Sequence, residues 1–304
     1  LTKKGALLPT YLVVLQHSHF TSKKTFRVRA VQENVGPFLK WAGGKRQIAQ
    51  VIKSYVPKFK RYFEPFLGGG AVFFTVQPMQ AVLNDLNSEL INVYKVIRDS
   101  PEELIASLKK HENTAEYFYR IRSLDRDPLA YSALSPVERA SRFIYLNKTC
   151  FNGLFRVNKK GHFNAPFGRY KSPKIADESL IWAVSRLLLR RDVVFASLDF
   201  AECLKDAEEG DFVYLDPPYD PVSETARFTN YSSLGFGRED QLRLKEVCDW
   251  LDQRGVKFVL SNSNTEFIRS FYASYEIRYV RAGRAINCDP RKRGKVVELL
   301  IKNY

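Results

Sequence analysis

Asp216-Pro217-Pro218-Tyr219 follows directly on the apolar run Phe212-Val213-Tyr214-Leu215. Open α/β sheets bind ligands at the carboxyl ends of their strands, so a free acid and an aromatic ring at this point are placed for chemistry. Two prolines stiffen the backbone and remove two N–H donors, leaving their carbonyls as fixed acceptors beside a carboxylate. Tyr219 adds a flat ring for stacking. Acceptors beside a flat ring suit an exocyclic amine on a planar base; the competing reading is a rigid turn after a strand.

Two other segments point to a cofactor. In Phe63-Glu64-Pro65-Phe66-Leu67-Gly68-Gly69-Gly70 the glycines stand between a strand and a helix, where they let the backbone approach a ligand at the helix N-terminus. The loop is neither a GxGxxG fingerprint nor a Walker A loop. Alone it is equally a structural turn. Asp85, at the end of the next strand, is placed to accept hydrogen bonds from ribose hydroxyls, and the pair leans toward an adenosine-bearing cofactor. Phe38 to Arg46 holds Trp41, Gly43, Gly44, Lys45 and Arg46 ahead of a helix, which suits a carboxylate held by Lys45 and backbone amides, against an ordinary turn around a buried Trp.

Between Glu138 and Asp177 stand nine basic residues and no acid: Arg139, Arg142, Lys148, Arg156, Lys159, Lys160, Arg169, Lys171 and Lys174. Phe143, Tyr145, Phe151, Phe155, Phe163, Phe167 and Tyr170 are interleaved with them. Cations reach phosphates while aromatics and amides enter a base stack, so the segment reads as a DNA-reading surface, the alternative being a solvated basic face over an aromatic core. The loop Arg281 to Arg293 adds Arg284, Arg291 and Lys292, and is as readily a solvated hairpin tip. Over the 304 residues, Lys plus Arg number 48 against 33 Asp plus Glu, a formal charge of +15 that favours a polyanionic partner.

Cys150, Cys203, Cys248 and Cys288 form no CxxC pair and make no ligand pattern with the four histidines, which predicts a reduced, cytoplasmic protein without a metal site. Leu7 to Leu15 follows Lys3 and Lys4 like the start of a signal peptide, but Pro9 interrupts it and no small-residue cleavage site follows. No segment reads as a membrane span, and the sequons at Asn147 and Asn230 then carry no meaning.

The elements that must position these residues alternate. Strands are expected at Arg61–Phe66, Gln80–Asn84, Val193–Ala196, Phe212–Leu215, Val256–Leu260, Tyr275–Val280 and Lys295–Ile301. Helices are expected from Ala71, in several pieces from Leu86 to Leu146, and over Asp177–Leu189, Arg238–Gln253 and Thr265–Phe271. Ser100-Pro101-Glu102-Glu103 and Ser135-Pro136-Val137-Glu138 both read as N-cap, proline at the first helical position and an acid at the third. Asn152 to Pro173 reads as turn-rich with short strands. The fold class is α/β: a mostly parallel seven-stranded sheet wrapped on both faces. Residues 1–34 read as a flexible basic extension, consistent with an over-long reading of the start. Residues 35–87 and 177–304 make the sheet domain, with 88–176 inserted.

Taken in order, Lys40-Trp41-Ala42-Gly43-Gly44-Lys45, the Phe63–Gly70 loop, Asn84-Asp85, Asn152-Gly153-Leu154-Phe155-Arg156-Val157-Asn158, Phe167-Gly168-Arg169-Tyr170 and Asp216-Pro217-Pro218-Tyr219 resemble the motifs of the Dam-type DNA adenine N6-methyltransferases, alpha group. The resemblance runs from about residue 36 to the C-terminus. It implies a Rossmann-like methyltransferase domain and transfer of the methyl group of S-adenosylmethionine to adenine N6 in duplex DNA, typically within GATC, leaving S-adenosylhomocysteine. It further implies that Trp41 and Lys45 hold the methionine end of the cofactor, that Phe66 and Gly68 lie beside the sulfonium, and that Asp85 holds the ribose. Asp199 and Phe200 fall where the family contacts the cofactor adenine. Lys40, Leu154, Arg156 and Asn158 match base-contact positions, with Phe151 and Asn152 beside them, while Arg169 and Lys171 serve phosphates.

On that resemblance, Asp216 and the Pro217 carbonyl accept the two N6–H bonds, and Tyr219 stacks on an adenine flipped out of the helix while Phe151 props the vacated stack. No cysteine nucleophile or metal is required. Double-stranded DNA is the expected partner of a monomer, with a restriction endonuclease as a possible genetic partner. A catalytically silent DNA-binding regulator, or a methyltransferase of protein glutamine or RNA, are the other readings. Intact Asp216 and Tyr219 argue against the first, and the 138–177 segment against the second.

Overall fold

The structure, a computed structural model, describes residues 35–220, 236–283 and 295–304. The basic extension 1–34, the Asn230 sequon, Cys288, Arg284, Arg291 and Lys292 lie outside the described residues. The strands are β1 (Tyr62–Glu64), β2 (Gln80–Asn84), β3 (Asp192–Ala196), β4 (Phe212–Leu215), β5 (Lys257–Ser263), β6 (Glu276–Gly283) and β7 (Lys295–Lys302). They form the expected seven-stranded sheet in the order β3-β2-β1-β4-β5-β7-β6. The first five of that order run parallel, and β7 is antiparallel to both its neighbours.

Strand β4 is apolar throughout because it is covered on both sides. Phe212 and Tyr214 face one core with Tyr62 and Val259; Val213 and Leu215 face the other with Phe63, Phe258 and Leu260. Over the first face lie α1 (Ala49–Tyr55), α2 (Ala71–Val76), α3 (Ser88–Asp99), α4 (Pro101–Leu108), α7 (Pro136–Thr149) and α8 (Glu178–Leu189), through side chains such as Ile52, Phe73, Leu90, Leu104, Ile144 and Ile181. The second face carries α9 (Phe200–Leu204), α10 (Arg238–Gln253) and α11 (Glu266–Phe271), through Leu204, Leu244, Leu251 and Ile268. A smaller third core of Phe118, Tyr145, Leu146, Cys150, Phe163 and Ala165 joins α5 (Ala115–Ser123) and α7 to the loop beyond; α6 (Pro128–Ser132) lies between them in sequence.

Helices α3 and α4 share the first sheet-covering core, and the third core begins with α5. Two expectations need revision. Ser135 forms the full capping box with Glu138, but Ser100 makes no side-chain cap bond. Ser100 closes α3 and opens α4 at once, its N–H bonded to the Val96 carbonyl and its own carbonyl accepting from Leu104, so its backbone is set by both helices. The strands expected in 152–173 are two isolated bridges, Cys150 with Phe167 and Val157 with Phe163. Pro166 and Pro173 remove ladder donors there, and the Asn158 side chain closes its own turn by accepting from the N–H groups of Lys160 and His162.

Candidate active site

Strand β1 lies between β2 and β4 in parallel register, so the loops leaving all three emerge at one sheet edge. Buried Asn84 ties that edge together. Its amide donates to the carbonyls of Pro65 (2.9 Å) and Leu198 (3.0 Å), and its oxygen accepts from Leu198 N–H (2.8 Å), linking the exits of β1, β2 and β3.

The glycine loop is held from below by Asp85, whose Oδ2 accepts from Gly68 N–H at 2.9 Å and Oδ1 from Asn87 N–H at 3.0 Å. Burial pushes the Asp85 carboxyl up, and these two bonds oppose that. Gly68 has φ +48°, and a Cβ there would stand 2.6 Å from Trp41 Cδ1. Only glycine therefore admits the indole. On its other side Trp41 stacks on Phe155 (5.6 Å) and Phe143 (6.2 Å), joining the glycine loop to the 150s loop. Phe66 meets Phe200 at 5.5 Å, and Phe236 closes the group at 5.9 and 6.0 Å. Asp199 caps α9 through Ala201 N–H and pairs with Arg243 at 2.9 Å; Arg243 in turn lies over the Phe200 ring.

Asp216 leaves β4 with a side chain 19% exposed, and its Oδ1 meets Lys45 Nζ at 2.8 Å. Lys45 also donates to the Gly43 carbonyl and lies 4.6 Å from the centre of the Tyr219 ring. Burial pushes the Asp216 carboxyl up to about 6; Lys45 holds it down, and Glu298 lifts it again. Tyr219 Oη donates to Glu298 Oε2 at 2.9 Å. The backbone beyond is locked from α10 and β5: Gln241 donates to the Pro218 carbonyl (2.9 Å), Asn262 bridges Gln241 and Asp220 N–H, and Ser263 donates to the Asp220 carbonyl. The Pro217 carbonyl has no hydrogen-bond partner among the described residues. A rigid acceptor pair beside an aromatic ring is thus preorganised. Beneath it, burial pushes Glu64 up to about 8, against the bond from Tyr62 Oη at 2.7 Å.

On the basic side, Lys40 Nζ lies 5.0 Å from the Tyr170 ring centre, and Phe151 is exposed. Asn152 and Arg169 adopt left-handed backbone at φ 57° and 53°. Leu154 is half-buried and Lys171 exposed. The Arg156 guanidinium bonds to Asn164 Oδ1 (2.7 Å) and its carbonyl (3.2 Å), and Asn158 Oδ1 is spent on its turn. The expected nine-cation surface is smaller than its sequence suggests. Arg139 pairs with Glu89, Arg142 is buried against Asp125, and Lys174 pairs with Asp177. Two of those acids come from outside the counted segment, and Asp177 stands at its boundary. Burial also lowers Lys148.

Sequence reasoning missed Glu298, Gln241, Asn262, Phe236, Arg243 and the Lys45–Asp216 pair. All are contacts between residues far apart in the chain, and only the Lys45 and Asp216 ends carried a local motif.

Fold and site together fit an α/β group-transfer enzyme, with the glycine loop, Asp85 and the Asp216 carboxylate at one sheet edge. The chain belongs to the D12 class N6 adenine-specific DNA methyltransferase family, whose model matches residues 41–286. It is 46% identical over 274 residues to the type II methyltransferase M1.LlaDCHI of Lactococcus lactis subsp. cremoris, covering 89% of this chain and 96% of that one. It is 42% identical over 292 residues to the type II methyltransferase M.MjaIII of Methanocaldococcus jannaschii, covering 89% and 99%. With the DNA adenine methylase of Escherichia coli K12 it shares 34% over 267 residues, covering 86% and 93%. The family is S-adenosylmethionine-dependent and acts on DNA. Among the described residues no helix is long and apolar enough to cross a membrane.

Proposed function

We propose that this enzyme methylates N6 of the adenine in duplex GATC after flipping that base out of the helix, and that Asp216 with the Pro217 carbonyl accepts the two N6–H bonds. The observation that carries the reading is the Pro218–Asp220 backbone held from α10 and β5, beside the Asp216 carboxylate and a Pro217 carbonyl that has no hydrogen-bond partner among the described residues. Adenine N6 is a poor nucleophile because its lone pair is delocalised, so the site must favour positive charge growing on nitrogen. An ionised Asp216 does so, and Lys45 is the group that keeps it ionised. Tyr219, fixed through Glu298, stacks on the extruded base; Phe151, exposed at the loop, fills the gap and offsets unstacking of a few kcal/mol.

The residues present fit the cofactor. Each Asp85 oxygen accepts one backbone N–H, and a carboxylate oxygen has capacity for about two donors, so ribose hydroxyls can be held there. Phe66 and Phe200, whose rings meet, would line the cofactor with Gly68 and Asp199, and Trp41, packed on Gly68, with Lys45, paired to Asp216, would hold its methionine end. When bound, S-adenosylmethionine supplies an electrophilic methyl group and leaves as S-adenosylhomocysteine. Lys40, Leu154, Arg156 and Asn158, with Asn152 beside them, read the bases. Arg169 and Lys171 hold phosphate. Residues 88–176 make the DNA-recognition region, and the enzyme acts as a monomer that treats each strand of the palindrome in turn.

Radiolabelled cofactor offered to duplexes carrying GATC or one changed pair tests this, with the methylated base located afterwards. Label on adenine N6 of GATC alone is expected. Equal rates on every duplex would remove GATC, and label on cytosine would remove Asp216 as an acceptor for adenine.

A further inference from the structure

Lys40 precedes the cofactor-side Trp41, whereas the other expected base readers lie more than a hundred residues later, on the loop after α7. One buried side chain joins them. Asn147, on the last turn of α7 and 1% exposed, accepts from the Lys40 N–H at 3.0 Å and donates to the Lys40 carbonyl at 2.8 Å. The same amide donates to the Gly153 carbonyl at 3.1 Å. Its oxygen and both its N–H bonds are thereby engaged, as a buried amide requires. Gly153, at φ +65°, completes the arrangement: a Cβ there would stand 2.5 Å from Lys40 Cδ, so the lysine stem runs across the bare glycine toward the Tyr170 ring.

We propose that Asn147 is a specificity-positioning residue, an internal clamp that presents Lys40 to the DNA on the same rigid unit as Leu154, Arg156 and Asn158. The inference rests on the base-reading role proposed for Lys40 and adds a residue that touches no base. An extended lysine on an untethered loop reaches many positions; pinning both backbone groups of Lys40 fixes where its stem begins. A misplaced donor loses discrimination before it loses affinity, because phosphate contacts elsewhere still hold the duplex. Asn147→Leu keeps the branched shape of asparagine and removes all three bonds. Asn147→Asp keeps the acceptor for the Lys40 N–H and removes the donors.

The test measures initial rates at saturating cofactor on the preferred duplex and on duplexes changed at one pair each. The enzymes compared are the unmodified chain, Lys40→Ala, Asn147→Leu, Asn147→Asp and the Lys40→Ala/Asn147→Leu double variant. Lys40→Ala is expected to relax one base pair, and Asn147→Leu to relax that same pair by about tenfold, the scale of one well-made base contact. Asn147→Asp, whose second oxygen would face the Lys40 and Gly153 carbonyls, relaxes the same pair at least as far as Asn147→Leu, and the double variant is no more relaxed than Lys40→Ala. If Lys40→Ala relaxes a pair but the Asn147 variants slow all duplexes alike, the clamp is merely structural and the inference fails while the Lys40 reading stands. If Lys40→Ala relaxes no pair, that reading fails and takes the inference with it. Should Asn147→Leu not fold, Asn147→Asp decides by the same pattern.

Discussion

Replacing Lys45 by methionine should move the acid limb of the pH–rate profile upward. In the proposed mechanism Asp216 is ionised when it accepts N6–H, and burial pushes its carboxyl up to about 6 even with Lys45 2.8 Å away. An opposite charge at such a distance typically lowers a carboxyl by about one to three units, roughly 1.4 to 4 kcal/mol. Lys45→Met should therefore place the Asp216 midpoint between about 7 and 9. For a midpoint of about 8, the ionised fraction at pH 7 falls from about nine tenths to about one tenth, a loss of roughly tenfold that returns as the pH is raised. Glu298→Gln should act in the opposite sense, because the Glu298 charge lifts Asp216. The assay is single-turnover methylation at saturating cofactor from pH 5 to 9, which separates this effect from any role of Lys45 in cofactor affinity. An acid limb that stays in place in Lys45→Met would show that Asp216 ionisation does not limit the reaction.

Tyr219→Ala should cut turnover severely while Tyr219→Phe, which keeps the ring and loses the hydroxyl that bonds Glu298 and helps hold Asp216 down, should be milder; equal damage in both would remove stacking as the role of the ring. Native Glu64 holds its proton up to about pH 8, whereas the unfolded chain releases it near 4.5. Between those values the native state binds more protons, so stability falls as pH rises, and Glu64→Gln should flatten that part of the melting-temperature profile. Lys171→Ala or Arg169→Ala should each reduce the salt slope of DNA binding by about one. Arg142→Ala, whose guanidinium is buried against Asp125, should instead lower thermal stability and leave the slope alone.

The parts of the fold that could be read from the chain are those written locally. Strands β2 and β4 and helix α10 have the bounds their apolar patterns predict, because period and punctuation are properties of a short window. The five-residue α9 carries too little pattern to be seen, and Ser100 shows an N-cap motif overruled by the helix ending on it. Charge is less legible in the sequence. Counting cations between Glu138 and Asp177 could not show that Arg139 and Arg142 answer acids on other elements. At the site, Asp216, Tyr219, Asp85 and the glycine loop announce themselves by motif, while Glu298 and Gln241 act only through the sheet and helix that deliver them. Asn147 drew notice only as a sequon, yet its amide is buried and fully bonded.

The central claim is that Asp216 acts on charge developing at adenine N6 and does little to hold DNA. Asp216→Ala, compared with the unmodified enzyme for single-turnover methylation and for duplex affinity at fixed salt, tests it most directly. The account predicts a loss of about a hundredfold or more in the transfer step, the scale of removing one preorganised electrostatic group, with affinity within a few-fold. Near-normal transfer by Asp216→Ala would contradict it.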